Sequence, residues 1–206
     1  MRQSQSISLA LELDPLIAAL SFVRANTALV AGEYDTANST FRTAAALGLD
    51  GPSEYFVGVS YALRGQWDAA AATMLTSNQT GFGEDDHVRQ TLFLDALRDQ
   101  NNTERYEEYA RESFLIESNV PDYQERILQE LALLNSPLFV ELADDVTLRC
   151  RKSFWLIWHK RAAPLRSTRE FFEWQRSRNA VDYWQTFGWP DDCASLDQSL
   201  ANCSRQ

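Results

Sequence analysis

The sequence predicts an all-α fold, built as a right-handed stack of helical hairpins with an aromatic-rich helical cap at its C-terminal end. Three observations lead to this prediction. A short motif recurs about one hairpin later, apolar residues recur at helical spacing on both sides of each copy, and most tryptophans fall in the last third of the chain. Self-similarity at a period of roughly 20–50 residues is typical of stacked helical units.

The recurring motif has the pattern Gly-x-aromatic-x-x-Ala. It occupies residues 32–37 and returns at 65–70. We expect the glycine of each copy to end a helix in a left-handed turn, and the alanine to let two helices approach closely. These residues are Gly32, Ala37, Gly65 and Ala70. The flanking helical stretches are predicted over 16–31, 34–47, 53–64 and 67–76, with Gly51 and Pro52 between the two hairpins.

Residues 18–77 resemble two tetratricopeptide repeats. The second copy matches the family better, with the family spacing at Gly58, Tyr61, Gly65, Trp67 and Ala70. The first copy keeps Gly32, Tyr34, Ala37, Phe41 and Ala44, but it has Ala25 and Ala28 where the family usually has a small residue and an aromatic one. The resemblance implies an array of helical hairpins that binds a protein or peptide partner.

The whole chain, including the two repeats, divides into four expected parts. Residues 1–17 are expected to be the end of a truncated or preceding repeat, because Leu9–Pro15 resembles the closing stretch of one, which suggests a missing upstream portion. Repeat-like hairpins are predicted over 18–118, with further helices at 85–100 and 103–118. The helical cap is predicted over 119–192, starting with a helix at 121–135, and a flexible tail over 193–206.

The C-terminal third carries a second resemblance. Ala163-Pro-Leu-Arg166, Glu170-Phe171, Tyr183-Trp184 and Gly188-Trp-Pro190 with Cys193 resemble a tail found in bacterial signalling proteins. That tail follows tetratricopeptide arrays in ToxR-type winged-helix transcription regulators and in some nucleotide cyclases. The chain departs from it at Asn179-Ala180, where Gly-Leu is usual, and in the extra residues 194–206. The resemblance implies a regulatory or partner-binding role, and no catalytic residue transfers with it.

The first helix of each hairpin supplies the expected binding surface. In tetratricopeptide arrays these helices line a groove, which here would present Phe22, Asn26, Tyr55 and Val59. Because these residues are mostly apolar, an apolar peptide or helix is the expected occupant, with self-association into a homodimer as another expectation. The same side chains would alternatively pack against the next helix and form core.

A small-molecule sensor is the alternative function. Its ligand pocket would lie at the junction of array and cap, near Trp155, Trp158 and Trp174. The same aromatic residues would otherwise form a hydrophobic cap over the end of the helical stack, or an exposed patch used for binding.

Composition and motifs argue against several other functions. The chain has 29 acidic and 19 basic residues, a net charge of -10, which disfavours nucleic acid and anionic lipid as partners of this chain. We find no phosphate-binding glycine loop and no nucleophile motif, so no enzymatic activity and no cofactor are expected. The two histidines and three cysteines show no metal-ligand spacing, and no metal site is expected.

The cysteines and the cellular compartment are linked. Cys193 and Cys203 would either form a disulfide in an oxidising compartment or remain free thiols. The chain has neither a signal-peptide core nor an apolar stretch of membrane-spanning length. We therefore expect a cytoplasmic location for the chain as it stands, and a periplasmic one if it is the C-terminal part of a membrane-anchored regulator.

Overall fold

The computed structural model describes residues 14, 17–77, 83–116, 121–146, 155–187, 194–196 and 200–202. Apart from one short strand pair, the elements in these ranges are helices, which confirms the predicted all-α class. The chain divides into two compact units, Met1–Tyr106 and Glu107–Gln206. The division falls earlier in the chain than the predicted boundary between residues 118 and 119.

The first unit begins with two helical hairpins in succession. Helix α1 packs along α2, α3 packs along α4, and α2 also contacts α3. These four helices agree with the four predicted stretches to within a few residues at each end. The bounds are α1 Ala18–Val30, α2 Tyr34–Ala44, α3 Asp50–Leu63, α4 Trp67–Ser77 and α5 Gly83–Arg98, followed by a 3-10 turn at Gln100–Asn102. Helix α6, Thr103–Ile116, contains the division between the two units.

Both hairpin turns adopt the predicted left-handed conformation. Gly32 has a φ of +78° and Gly65 a φ of +73°. At the first turn the amide of Glu33 donates to the carbonyl of Ala28 at 2.9 Å, and the second turn repeats this bond at the same distance. This is a Schellman cap, which satisfies carbonyl groups that the end of a helix would otherwise leave unpaired.

The link between α2 and α3 differs in detail from the prediction. The chain passes through a single wide turn at Ala45–Leu49, and its reversal is at Gly48, which has a φ of +100°. Gly51 and Pro52 lie inside α3 rather than before it. Pro52 is compatible with this position because the first turn of a helix has no intrahelical partner for its N–H groups.

The closest approach of two helices in the first unit is at Gly58. A Cβ atom at this position would lie 2.3 Å from Cγ of Met74 and 3.3 Å from the backbone oxygen of Ala70. Both of these α4 residues are fully buried. Helices α3 and α4 can therefore pack at this distance only because residue 58 has no side chain.

The second unit contains shorter helices joined by tight turns. Helix α7 packs on α8 and on the 3-10 turn that follows it, and α10 contacts both α8 and α11. Helix α10 begins at a capping residue, Thr168, whose hydroxyl accepts the N–H of Phe171 at 3.2 Å. The bounds are α7 Pro121–Leu133, α8 Leu138–Val146, 3-10 turns at Trp155–Trp158 and Lys160–Ala162, α9 Ala163–Arg166, α10 Arg169–Ser177 and α11 Ala180–Phe187.

Asn135 performs at the α7–α8 turn the role that glycine performs in the first unit. Its φ is +57°, and the amide of Ser136 donates to the carbonyl of Leu131 at 3.0 Å, as in a Schellman cap. Its side-chain oxygen also accepts the N–H of Leu165 at 3.1 Å. One asparagine thus closes a helix and joins it to α9.

The segment predicted as a flexible tail contains a short antiparallel strand pair. Strand β1, Ala194–Leu196, pairs with β2, Leu200–Asn202, so that Ala194 lies opposite Asn202. Over the part of the chain that the structure describes, no helix combines the length and the apolar character needed to span a bilayer.

Replacing Gly58 by alanine tests the close packing of α3 on α4. We expect Gly58→Ala to lower the free energy of unfolding by about 1–3 kcal/mol, because the added methyl group overlaps Met74 and approaches the backbone of Ala70. Urea denaturation measures the loss.

The double variant with Met74→Ala provides the control. Met74→Ala is destabilising by itself, but it removes the atoms that the new methyl group meets, so the Gly58→Ala loss should shrink in that background. A loss of the same size in both backgrounds would contradict steric overlap as its cause.

Candidate functional site

A cleft in the first unit is the candidate functional site. It has a volume of about 370 Å³, is open to solvent, and lies where α2, α3 and α4 meet. Its apolar lining comes from Ala45, Val57 and Ala72. Its polar lining consists of Arg42, Glu54, Tyr61 and Thr73.

The spacing of residues along α3 explains why this helix lines the cleft. Glu54, Val57 and Tyr61 are three and four residues apart, which places them on one face of a helix. Tyr55 and Val59 lie roughly on the opposite face and are fully buried. The cleft therefore uses the side of α3 that faces away from the expected groove.

The charged groups of the cleft make few hydrogen bonds or ion pairs within the described part of the chain. The Arg42 guanidinium donates one hydrogen bond to the Tyr61 hydroxyl at 3.1 Å and is otherwise exposed. The Glu54 carboxylate is half-buried and has no hydrogen bond or ion pair within the described part of the chain. The cleft thus offers a cationic donor, a hydroxyl and an anionic acceptor above an apolar floor.

The expected groove residues are mostly interior. Asn26, Tyr55 and Val59 are fully buried, and Phe22 is half-buried. The Phe22 ring makes edge contacts with Phe41 and Phe56, each with ring centroids 5.6 Å apart. A bound peptide could not reach the three buried residues in this conformation. They form core, which is the alternative to a binding groove.

A buried ion pair covers Tyr55. Arg89 on α5 lies over the Tyr55 ring, 5.6 Å from its centroid, and binds Asp86 at 2.5 Å. Gln90 donates to the other oxygen of Asp86 at 3.1 Å. Because a buried charge is costly unless it is paired and hydrogen-bonded, these contacts make the site structural.

Two of the tryptophans of the expected ligand pocket pack against other rings. Trp158 is half-buried and meets Trp184 edge-on at 6.0 Å, while the half-buried Trp155 opens the same 3-10 turn. Trp174 is buried and lies 5.3 Å from Phe139. None of the three expected pocket residues lines the cleft.

Several aromatic residues of the C-terminal third are buried in the part of the chain that the structure describes. Phe171, Phe172 and Trp184 are among the buried residues of the second unit. Tyr183 and Phe187 on α11 differ: they are 60% and 72% exposed and form a tilted pair with centroids 4.7 Å apart.

His159 is a buried neutral histidine with a structural role. Its Nδ1 accepts the N–H of Arg161 at 3.1 Å and so caps the turn at Lys160–Ala162. Burial, followed by the nearby charges of Lys160, Arg161 and Arg166, lowers the pKa of His159 to about 4. Arg166 is also buried and donates to the carbonyls of His159, at 2.9 Å, and Ile157.

Cys193 and Cys203 lie outside the described residues, so their disulfide stays a prediction. His87 is exposed, and its neighbour Asp86 is used by Arg89. Among the described residues no group of three or more potential ligand side chains is placed to hold a metal ion.

Comparisons with known proteins give no relative. No protein-family model matches the chain, and neither a curated protein nor a solved structure does. The class of this protein therefore rests on its helices and on the cleft.

Sequence reasoning missed the cleft. The repeat pattern includes Tyr61 but does not mark it as a cleft residue, although its spacing from Glu54 and Val57 is visible in the sequence. Arg42 joins them only through the packing of α2 on α3, which no local pattern reports.

His159 makes the second unit sensitive to acid. Its pKa is about 4 when folded against 6.5 for the ordinary side chain, so the unfolded chain binds the proton first as the pH falls. Stability due to this group is lost between pH 6.5 and 4, by about 3 kcal/mol in total. His159→Asn, which keeps an acceptor for Arg161, should lose less stability than the wild type over this range in pH-dependent urea denaturation.

The His159→Asn curve must be compared with that of the wild type, because Glu125 also changes the stability over this pH range. Burial raises the pKa of Glu125 to about 7, so its contribution to stability grows as the pH falls from 7 to 4.5. The two groups oppose each other in the wild type, and only the difference between variant and wild type isolates His159. Parallel curves for the two proteins would refute the role of His159.

Proposed function

We propose that the chain is a non-enzymatic protein-interaction module of the tetratricopeptide type. The observation that carries the proposal is the recurrence of one hairpin design: Gly32 and Gly65 end the first helix of each hairpin in the same Schellman cap. Stacked hairpins of this kind present clefts between neighbouring helices to partner proteins. The class is inferred from architecture and not from catalytic chemistry.

The proposal includes a place in a larger regulator. The resemblance of the C-terminal third to the tails of ToxR-type regulators supports a sensing or docking role at the C-terminal end of a bacterial transcription regulator. Two aromatic residues of that resemblance, Phe171 and Trp184, are buried, which is consistent with a structural cap, whereas Tyr183 is exposed. On this proposal the partner-binding surface lies in the repeats.

The cleft replaces the expected groove as the proposed binding surface. Asn26, Tyr55 and Val59 are buried, whereas the cleft is open and carries partly unused polar groups. Homodimer formation remains a second form of the same proposal, in which another copy of the chain fills the cleft.

Blocking the cleft tests the proposal. Ala72 is an exposed cleft residue on α4, and Ala72→Arg would fill the cleft with a long charged side chain at little cost to the helix. The immobilised full chain and the variant are compared by quantitative mass spectrometry after incubation with extract of the source cells. We expect at least one protein, or the chain itself, to be depleted about tenfold or more by the variant, and its binding constant to be confirmed with purified components.

Ala19→Arg is the matched control. Ala19 is an exposed alanine on α1 outside the cleft, so it introduces the same charge elsewhere in the same unit. Circular dichroism confirms that both variants fold. Equal retention of every protein by the wild type and both variants would count against partner binding in the cleft.

A small-molecule sensor is a second candidate because of the size of the cleft. Its volume of about 370 Å³ lies in the range of small-molecule sites. On this hypothesis a metabolite library contains a compound that raises the melting temperature of the wild type and of Ala19→Arg but not of Ala72→Arg. Thermal-shift measurement with no such compound would reject the candidate for the library used.

A further inference from the structure

The polar groups of the cleft are spread along its length. Glu54 and Tyr61 are seven residues apart on α3, which at the helical rise separates them by about 10 Å along the helix axis. Tyr61 bonds to Arg42, so the cationic end of the cleft is the end at Tyr61. The apolar side chain of Val57 lies between the two charges along the helix.

This arrangement matches the dimensions of a peptide in the polyproline II conformation. Such a peptide rises by about 3.1 Å per residue with three residues per turn, so residues three positions apart lie on one face and about 9 Å apart, close to the distance between the acidic and the cationic end. A basic side chain would meet Glu54, and a carboxylate three positions away would meet the Arg42 guanidinium and the Tyr61 hydroxyl. An apolar side chain between them would contact the apolar lining of Ala45, Val57 and Ala72 from the side.

We propose that the cleft binds a short peptide segment in the polyproline II conformation, in which a basic and an acidic residue lie three positions apart, with an apolar residue between them. The proposal rests on the proposed function and specifies the partner segment that this function requires. Two observations favour a peptide over a compact metabolite: the cleft is open to solvent, and its acidic and cationic groups are about 10 Å apart along α3. A purely apolar segment would bind less favourably, because it would leave the half-buried Glu54 carboxylate without a counter-charge.

Three capped tetrapeptides test the charge pattern. The probes are acetyl-Lys-Leu-Ala-Glu-amide, acetyl-Glu-Leu-Ala-Lys-amide and the neutral acetyl-Gln-Leu-Ala-Gln-amide, each titrated into the full chain at millimolar concentration. Backbone amide shifts in nuclear magnetic resonance spectra report the site and the affinity. We expect shifts around Arg42, Glu54–Tyr61 and Ala72, and binding of the better charged peptide to be about three- to tenfold tighter than that of the neutral one.

Exchanging the two charges of the cleft gives the decisive control. In the double variant Arg42→Glu with Glu54→Arg, the preference between the two charged peptides should reverse, which a merely structural role of these residues would not produce. If the double variant does not fold, Arg42→Gln and Glu54→Gln, which keep the side-chain size, should each reduce the advantage of the charged peptide. Equal affinity for the three peptides, or shifts confined to other residues, overturns the proposal.

The outcome is separable from that of the proposed function. If Ala72→Arg releases a partner protein but the three peptides bind equally, protein binding stands and the charge pattern is wrong. If the peptides follow the predicted order but no protein is released by Ala72→Arg, the peptide specificity stands and the module does not use it for a partner under those conditions.

Discussion

The contact between α3 and α4 at Gly58 is the constraint on which the first unit depends. Because no side chain stands between these helices, Ala70 and Met74 of α4 reach the backbone of α3 and the second hairpin closes fully. The approach brings Ala72 to the same side as α2, and the space left between the three helices is the cleft. A bulkier residue at position 58 would separate the helices and change the shape of the cleft, although it lies outside the cleft itself.

The two units solve the same turn problem with different chemistry. In the first unit, Gly32 and Gly65 adopt the left-handed conformation at no steric cost, and a Cβ atom at either position would meet no other atom within 4 Å. In the second unit, Asn135 adopts it with a side chain that also accepts the N–H of Leu165. Asparagine therefore adopts the left-handed conformation less easily than glycine, but its side chain links two elements that are distant in sequence.

The local features of the fold could be predicted from the sequence, and the features that depend on packing could not. Glycine followed by an aromatic residue located the hairpin turns, since a left-handed turn is a property of a few neighbouring residues. The four-residue spacing of Tyr55 and Val59 predicts that they share one face of α3. It does not show that Arg89 of α5 covers Tyr55 on that face. The reversal at Gly48 was likewise missed, because Gly51 and Pro52 give the stronger local signal. Arg42 and Tyr61 meet only after α2 and α3 pack.

The buried pair of Asp86 and Arg89 has a consequence for how this protein can evolve. Both side chains are on one helix turn and both are excluded from water. Loss of either partner leaves a buried charge, whereas an apolar pair of similar volume removes the desolvation cost altogether. Descendant sequences should therefore keep the acidic and basic residues together or exchange them together, and an intermediate with one charge would be selected against. We therefore expect substitutions at positions 86 and 89 to occur together.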